Sequence, residues 1–261
     1  MTGRLTVVGL GPGRSDWCTP AVTARLAAAT DLVGYVTYLA MVDPALPARR
    51  HASDNRVEAD RARQALDLAD AGGDVVIVSS GDPGVFAMAS AVLEQLDIHP
   101  TRWLDVTVDV EPGITAAQAV ASRVGAPLGH DFCVISLSDV LKPWEVIERR
   151  LDAVAAADFV IALYNPRSGQ RPHQLTDAMD IIGRHRAPST PVVVGRNVGR
   201  DTEVITVTEL AHLDHASIDM STIVVVGSSN TRLLDRPRGC CLYTPRSYDA
   251  VPSNGWKGAA R

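Results

Sequence analysis

Lysine is nearly absent from this sequence. Of 25 Lys+Arg only Lys142 and Lys257 are lysine, so 23 arginines carry almost all the positive charge. Codon composition accounts for such a ratio on solvated faces; a ligand with several carboxylates is the sharper explanation, because the planar guanidinium pairs with them two-pronged. Cysteine is scarce too. Cys18, Cys133, Cys240 and Cys241 form no C-x-x-C pair, which leaves them as small fillers suited to a reducing compartment. The 7 histidines are scattered, no pair stands at metal-ligand spacing, and no metal is expected. Long apolar runs are missing: 158–164 and 222–227 are strand-length, far short of the ~20 residues that cross a bilayer. The first residues enter a strand-like run at Leu5 without a charged n-region or apolar h-region, so no signal peptide and a cytoplasmic location are expected. A formal net charge of −5 argues against nucleic acid or an anionic membrane as the main partner.

What is present is a folded chain of 261 residues, 46% hydrophobic and 21% charged. At this length one large domain or two small ones bury enough surface to need no staple. Short β-branched runs alternate with Ala- and Leu-rich stretches of helical spacing, which predicts an α/β protein with mostly parallel sheets. Strands are expected at 5–8, 31–36, 75–78 and 106–110, and helices at about 15–29, 58–71 and 85–96. The helix over 58–71 carries Ala62, Ala65, Leu66 and Ala69 on one stripe and is closed by Gly72-Gly73. Pro112-Gly113 and Gly125-Ala126-Pro127 bracket a short helix over 114–123 and mark a junction. The pattern then restarts with strands at 132–136, 159–163, 192–194, 202–207 and 222–226 and helices at 144–156 and 174–184. The expected domains are therefore 1–112 and 113–246, with a flexible tail over 247–261. After Arg236 the chain reads as a loop or a partner-docked extension.

Chemistry gathers after the predicted strands. Gly9-Leu10-Gly11-Pro12-Gly13 follows the first, as a ligand-binding turn would. Arg14 stands where a dinucleotide fingerprint needs its third glycine, and Pro12 removes an N–H, so a nicotinamide-dependent oxidoreductase fits poorly. A tight turn without a ligand is the alternative. In Ser79-Ser80-Gly81-Asp82-Pro83-Gly84, Asp82 is either an acceptor for a ligand hydroxyl or amine, or the N-cap of a helix with Pro83 at its first position. Glu111-Pro112-Gly113-Ile114-Thr115-Ala116-Ala117 enters a helix of small side chains, which suit either a bulky ligand or tight packing. The second half offers Ser136-Leu137-Ser138-Asp139, Leu163-Tyr164-Asn165-Pro166-Arg167-Ser168, and a loop from Gly195 to Glu203 with Arg196 and Arg200.

In this order the motifs resemble the tetrapyrrole methylase family over about residues 4 to 245: Gly9 to Gly13 as its first loop, Gly81-Asp82-Pro83 as the second, Gly113 to Ala116 as the third, and Leu163-Tyr164-Asn165 as the fourth. Within it, Ile135 to Asp139 followed by Pro143 to Leu151, together with Leu163 to Ser168, Gly195 to Arg200 and Tyr243 to Arg246, are similar to the branch acting on C17 of precorrin-3B. The resemblance implies two α/β domains with the cofactor cleft between them, S-adenosylmethionine as methyl donor, methylation with ring contraction in cobalamin biosynthesis, and a homodimer. Methylation at another corrin position, a cobalt-containing substrate such as cobalt-factor III, and a non-catalytic tetrapyrrole carrier are the alternatives.

The resemblance also assigns residues. Pro12, Gly81, Asp82, Val85, Thr115, Ala116, Tyr164, Asn165 and Thr222 would line the methyl donor. A general base would come from Ser136, Ser138 or Asp139, with Asp82 a further candidate. Arg167, Arg171, Arg196 and Arg200 would meet the acidic arms of the ring.

Overall fold

The computed structural model describes residues 3–54, 57–236 and 239–247. The tail expected to be flexible lies, from residue 248 on, outside the described residues. By internal contacts the chain forms two compact units, Met1–Ala119 with Asn197–Glu203, and Val120–Arg196 with Val204–Arg261.

The first unit runs β1 (Arg4–Gly9), α1 (Pro20–Ala28), β2 (Asp31–Tyr35), α2 (Val36–Leu39), β3 (Arg49–Ser53), α3 (Glu58–Asp70), β4 (Asp74–Ser79), α4 (Met88–Ile98) and β5 (Thr107–Glu111). Its sheet is wholly parallel, in the order β3-β2-β4-β1-β5. Alternate residues of the central strands feed two cores. Leu5, Val7, Val75 and Ile77 pack with the Ala62, Ala65, Leu66 and Ala69 stripe of α3 and with α4, whereas Val8, Val76 and Val78 pack with Val22 and Leu26 of α1. The strands are apolar throughout because both faces are covered.

Two helix starts differ from expectation for local reasons. The Thr19 hydroxyl accepts from Val22 N at 3.2 Å with Pro20 at the first helical position, so α1 starts there and Ser15–Trp17 is a separate 3-10 turn. Asp82 folds 82–85 into a turn and Phe86 adopts φ 54°, so α4 begins only at Met88. The strand β3, Arg-Arg-His-Ala-Ser, has no apolar alternation and was not anticipated. It is held by its pairing with β2 and by side chains that converge on Asp31.

Asp31 is fully buried and accepts from Thr30 Oγ1 and an Arg49 Nη, each at 2.8 Å, with His51 Nε2 at 2.7 Å. Burial pushes its carboxyl up, but the hydrogen bonds from Arg49, His51 and Thr30 outweigh it and hold the group down at about 2. A carboxylate depressed below its unfolded value stabilises the fold fully above about pH 4 and loses that contribution as pH falls toward about 2. The contribution is on the order of 2 kcal/mol. Acid titration of unfolding should therefore show Asp31→Asn less stable than the parent at pH 7 and equal to it near about pH 2; a constant gap across that range would contradict the assignment.

The second unit contains the end of α5 (Ala116–Val124), then β6 (Gly125–Ala126), β7 (Phe132–Ser136), α6 (Trp144–Ala156), β8 (Val160–Tyr164), α7 (Gln174–Gly183), β9 (Pro191–Arg196), β10 (Val204–Glu209), β11 (Thr222–Val226), β12 (Arg232–Arg236) and β13 (Gly239–Tyr243). Its five-stranded sheet has the order β10-β9-β11-β8-β7, and Ile147, Leu151, Leu175, Ile182 and Val224 lie in the core that α6 and α7 form on it. The expectation of mostly parallel sheets holds in the first unit only. Here β7 and β8 are parallel, while β11 runs antiparallel to β8 and β9, and β10 antiparallel to β9. β9 and β10 are joined by a short turn without a crossover helix, which fixes them antiparallel. The stretch after Arg236, expected as a loop, instead supplies β13, which pairs with β12 and β6.

Candidate active site

In the first unit the loops after β1 and β4 leave toward opposite faces of the sheet, β1 toward α1 and β4 toward α4, although the two strands are neighbours. That is the switch point at whose carboxyl edge open α/β sheets bind ligands. The loops are bonded to one another: Gly11 N donates to Gly81 O at 3.1 Å and Gly81 N to Gly11 O at 2.8 Å. A Cβ on Gly9 would sit 2.5 Å from Gly81 O and 2.8 Å from Gly113 N, and one on Gly113 would strike Gly81 O and Gly9 O. Gly9 and Gly113 thus let three loops approach each other. Gly81 is different: at φ +68° a Cβ there would meet nothing nearer than Ile114 O and Thr115 Cα at 3.9 Å. The space over Gly81, beside half-buried Val85, Thr115 and Ala116, is an open cradle of backbone polar groups that suits the donor expected there. Pro12, in the first loop, is buried.

Asp82 ties this edge together. One carboxylate oxygen accepts from Gly84 N at 2.8 Å and the other from Gly113 N at 3.1 Å. It does not cap α4, whose N-cap is Ala87. Each oxygen keeps a further lone pair, so the clamp leaves room for a ligand hydroxyl. Asp82→Ala should release the third loop and weaken binding of S-adenosylhomocysteine about tenfold or more; unchanged affinity by calorimetry would refute the role.

The tip of the β9–β10 turn, Asn197–Glu203, belongs with this unit. Gly199, at φ +80°, lies against Pro12 and Trp17, and Arg200 Nε donates to Pro12 O at 3.4 Å. Two aromatic residues that the sequence did not single out stand at the same edge. Tyr35 ends β2 and Tyr38 follows one turn on, their rings edge-to-face at 5.3 Å. They lack a glycine-rich signature, but the rule that chemistry follows strands would have found them.

In the second unit the loops after β7 and β8 form a hydrogen-bonded knot. Ser136 is buried, and its hydroxyl accepts from Asn165 Nδ2 at 2.9 Å and Ser138 N at 3.3 Å. Asn165 adopts φ 51°, a region asparagine tolerates. Arg171 is buried and donates to Leu137 O at 3.2 Å and Asn165 O at 2.8 Å, so it braces both loops from beneath. Asp139 is half-buried and accepts from Gln174 Nε2 at 3.0 Å. Tyr164 ends β8, half-buried. Thr222 is buried at the start of β11 and donates to Asp219 Oδ1 at 2.9 Å. Asp219 also takes Arg196 Nε at 2.8 Å; burial raises its carboxyl, but the bonds from Arg196, Thr222 and Ser221 N bring it below the usual range. Arg167 donates to His215 O at 2.9 Å beside an open groove of about 600 Å³ floored by Ile218 and Met220. Of the four arginines expected to meet carboxylates, Arg171 is therefore committed to carbonyls and Arg196 to Asp219, whereas Arg200 holds a single long bond and Arg167 one edge. Among the described residues no group of three His, Cys, Asp or Glu is placed to hold a metal, and no helix is long and apolar enough to cross a membrane.

Comparison with known proteins agrees with this architecture. The family model for Tetrapyrrole (Corrin/Porphyrin) Methylases matches residues 4–214. The cobalamin biosynthesis protein CobIJ of Mycobacterium tuberculosis is 54% identical over 252 residues, 95% of this chain and 49% of that protein, so this chain spans about half the length of that relative. A precorrin-3B C(17)-methyltransferase from a Sinorhizobium species is 51% identical over 249 residues, 95% of this chain and 98% of the relative. The crystal structure of the methyltransferase CobJ superposes with a TM-score of 0.88 at 49% identity, covering 93% of this chain and all of that one. With the family's loops found in order on both units, this chain belongs to the tetrapyrrole (corrin/porphyrin) methylases.

Proposed function

We propose that this chain is an S-adenosylmethionine-dependent methyltransferase that methylates C17 of precorrin-3B with ring contraction in cobalamin biosynthesis, working as a cytoplasmic homodimer. The observation that carries the reading is the 51% identity to a precorrin-3B C(17)-methyltransferase across nearly the whole of both chains. The open cradle over Gly81 supports a bound methyl donor there.

The bound donor supplies an already electrophilic methyl group, so the chain's task is alignment and proton handling. Gly81, Asp82, Val85, Thr115, Ala116 and Pro12 of the first unit would hold the donor. Ring contraction requires loss of the proton on the C20 hydroxyl. Ser136 has its oxygen engaged by two donors, Ser138 is a poor acceptor of a proton, and Asp82 has both oxygens bonded to backbone N–H groups beside the donor, which favours Asp139 as the base. Its bond to Gln174 orients the carboxylate and leaves the second oxygen for the substrate.

Incubation with precorrin-3B and methyl-labelled S-adenosylmethionine, read by mass and NMR, should place the label on C17 of a contracted ring; label elsewhere, or none, overturns the reading. Asp139→Asn should lower kcat about 100-fold or more while affinity for S-adenosylhomocysteine is kept. An unchanged kcat would remove Asp139 from the mechanism.

A further inference from the structure

Tyr35 and Tyr38 stand at the carboxyl edge of β2, the edge that also carries the Gly9–Gly13 and Gly81 loops. Both are half-buried, and neither hydroxyl has a hydrogen-bond partner among the described residues. A phenol whose ring is packed normally finds a partner for its hydroxyl. The Tyr38 ring packs on the core that contains Val8, Leu10 and Leu39, so its position is fixed by burial. Leu10 leads into Pro12, whose carbonyl receives the long 3.4 Å bond from Arg200, and Arg200 has no carboxylate within ion-pair distance among the described residues. Burial pushes the Tyr38 hydroxyl above its usual range, with the Arg200 guanidinium near enough to pull against that rise. At neutral pH Tyr38 is therefore a neutral donor, and Arg200, bonded to the loop that Leu10 leads into, holds only its long bond to Pro12 O.

We propose that Tyr38 and Arg200, with the Tyr35 ring edge-to-face against Tyr38, form a subsite on the first unit that binds one carboxylate arm of the tetrapyrrole substrate. The inference rests on the proposed function for the identity of that substrate. A neutral O–H donor and a guanidinium suit a carboxylate, whose two oxygens accept from both. The Tyr35 edge holds the Tyr38 ring in place, so Tyr35 is a positioning residue.

The test uses Tyr38→Phe, which keeps the ring and its packing and deletes only the donor. With precorrin-3B, KM should rise about tenfold while kcat and the affinity for S-adenosylhomocysteine are unchanged. The affinity for uroporphyrin, a stable tetrapyrrole with acetate and propionate arms, should fall by a similar factor. Arg200→Gln should do the same. An unchanged KM and uroporphyrin affinity in Tyr38→Phe would overturn the subsite. So would a shift confined to S-adenosylhomocysteine. If the parent protein failed to methylate C17 the proposed reaction would fall, whereas the uroporphyrin titration would still decide the role of Tyr38.

Discussion

Gly113→Ala is expected to lose about 3–5 kcal/mol of stability and the methyl-donor site with it. The backbone at Gly113 is not in the left-handed region, so alanine meets no conformational penalty there. The damage comes from space: the new methyl group would strike the carbonyls of Gly81 and Gly9. Neither oxygen is the end of a flexible side chain. Moving either one pulls on the Gly11–Gly81 bridge, and displacing Gly113 pulls on the Asp82 clamp. Gly81→Ala makes the contrast. It stands at φ +68° with open space around a Cβ, so it should cost only the about 1–2 kcal/mol of a left-handed alanine and leave the loops in place. Thermal unfolding should rank Gly113→Ala far below Gly81→Ala, whereas calorimetry with S-adenosylhomocysteine should show a loss in both, because a Cβ on Gly81 would project into the donor's cradle. The reverse order would mean that these loops do not depend on each other.

That contrast shows what the sequence could and could not reveal about the site. The glycines announced a ligand edge by position, after strands and in the right order, but not which served the ligand and which served neighbouring loops. Only distances across loops far apart in sequence separate Gly113 from Gly81. Strand 132–136, helix 144–156 and strand 222–226 were legible to the residue because apolar periodicity and flanking breakers agree there. β3 was not, since its stability lies in backbone pairing and in Asp31 rather than in any apolar pattern. Nor was the reversal of direction in the second sheet, because a buried strand reads the same whichever way its neighbour runs. Ser136 and Arg171 look catalytic or ligand-binding by type, and their hydrogen bonds also engage them in the knot with Asn165 and Leu137, which the sequence did not reveal.

The arginines carry the same lesson, and Arg186 tests it most severely. Its side chain is 2% exposed and donates to Ala155 O at 2.6 Å, Phe159 O at 2.9 Å and Gly227 O at 3.2 Å, while one Nη lies 3.3 Å from Asp158. One guanidinium thus joins the end of α6, the approach to β8 and the exit of β11. Arg50 does likewise in the first unit, reaching Leu39 O at 2.8 Å and Asp43 O at 2.6 Å, and Arg171 in the second. Part of the arginine excess is therefore structural, for a reason composition alone does not expose: a planar fork serves several carbonyls at once, and a lysine ammonium, a single point of charge, does not. Arg186→Ala should cost about 3–5 kcal/mol, since it removes at once the donor shared by three carbonyls and strips Asp158 of its cation. Arg186→Lys keeps the charge but not the fork and should still cost about 2 kcal/mol. Urea unfolding of the two variants reads the difference. If lysine restored full stability, charge alone would be what this position requires, and the abundance of arginine here would need no structural cause.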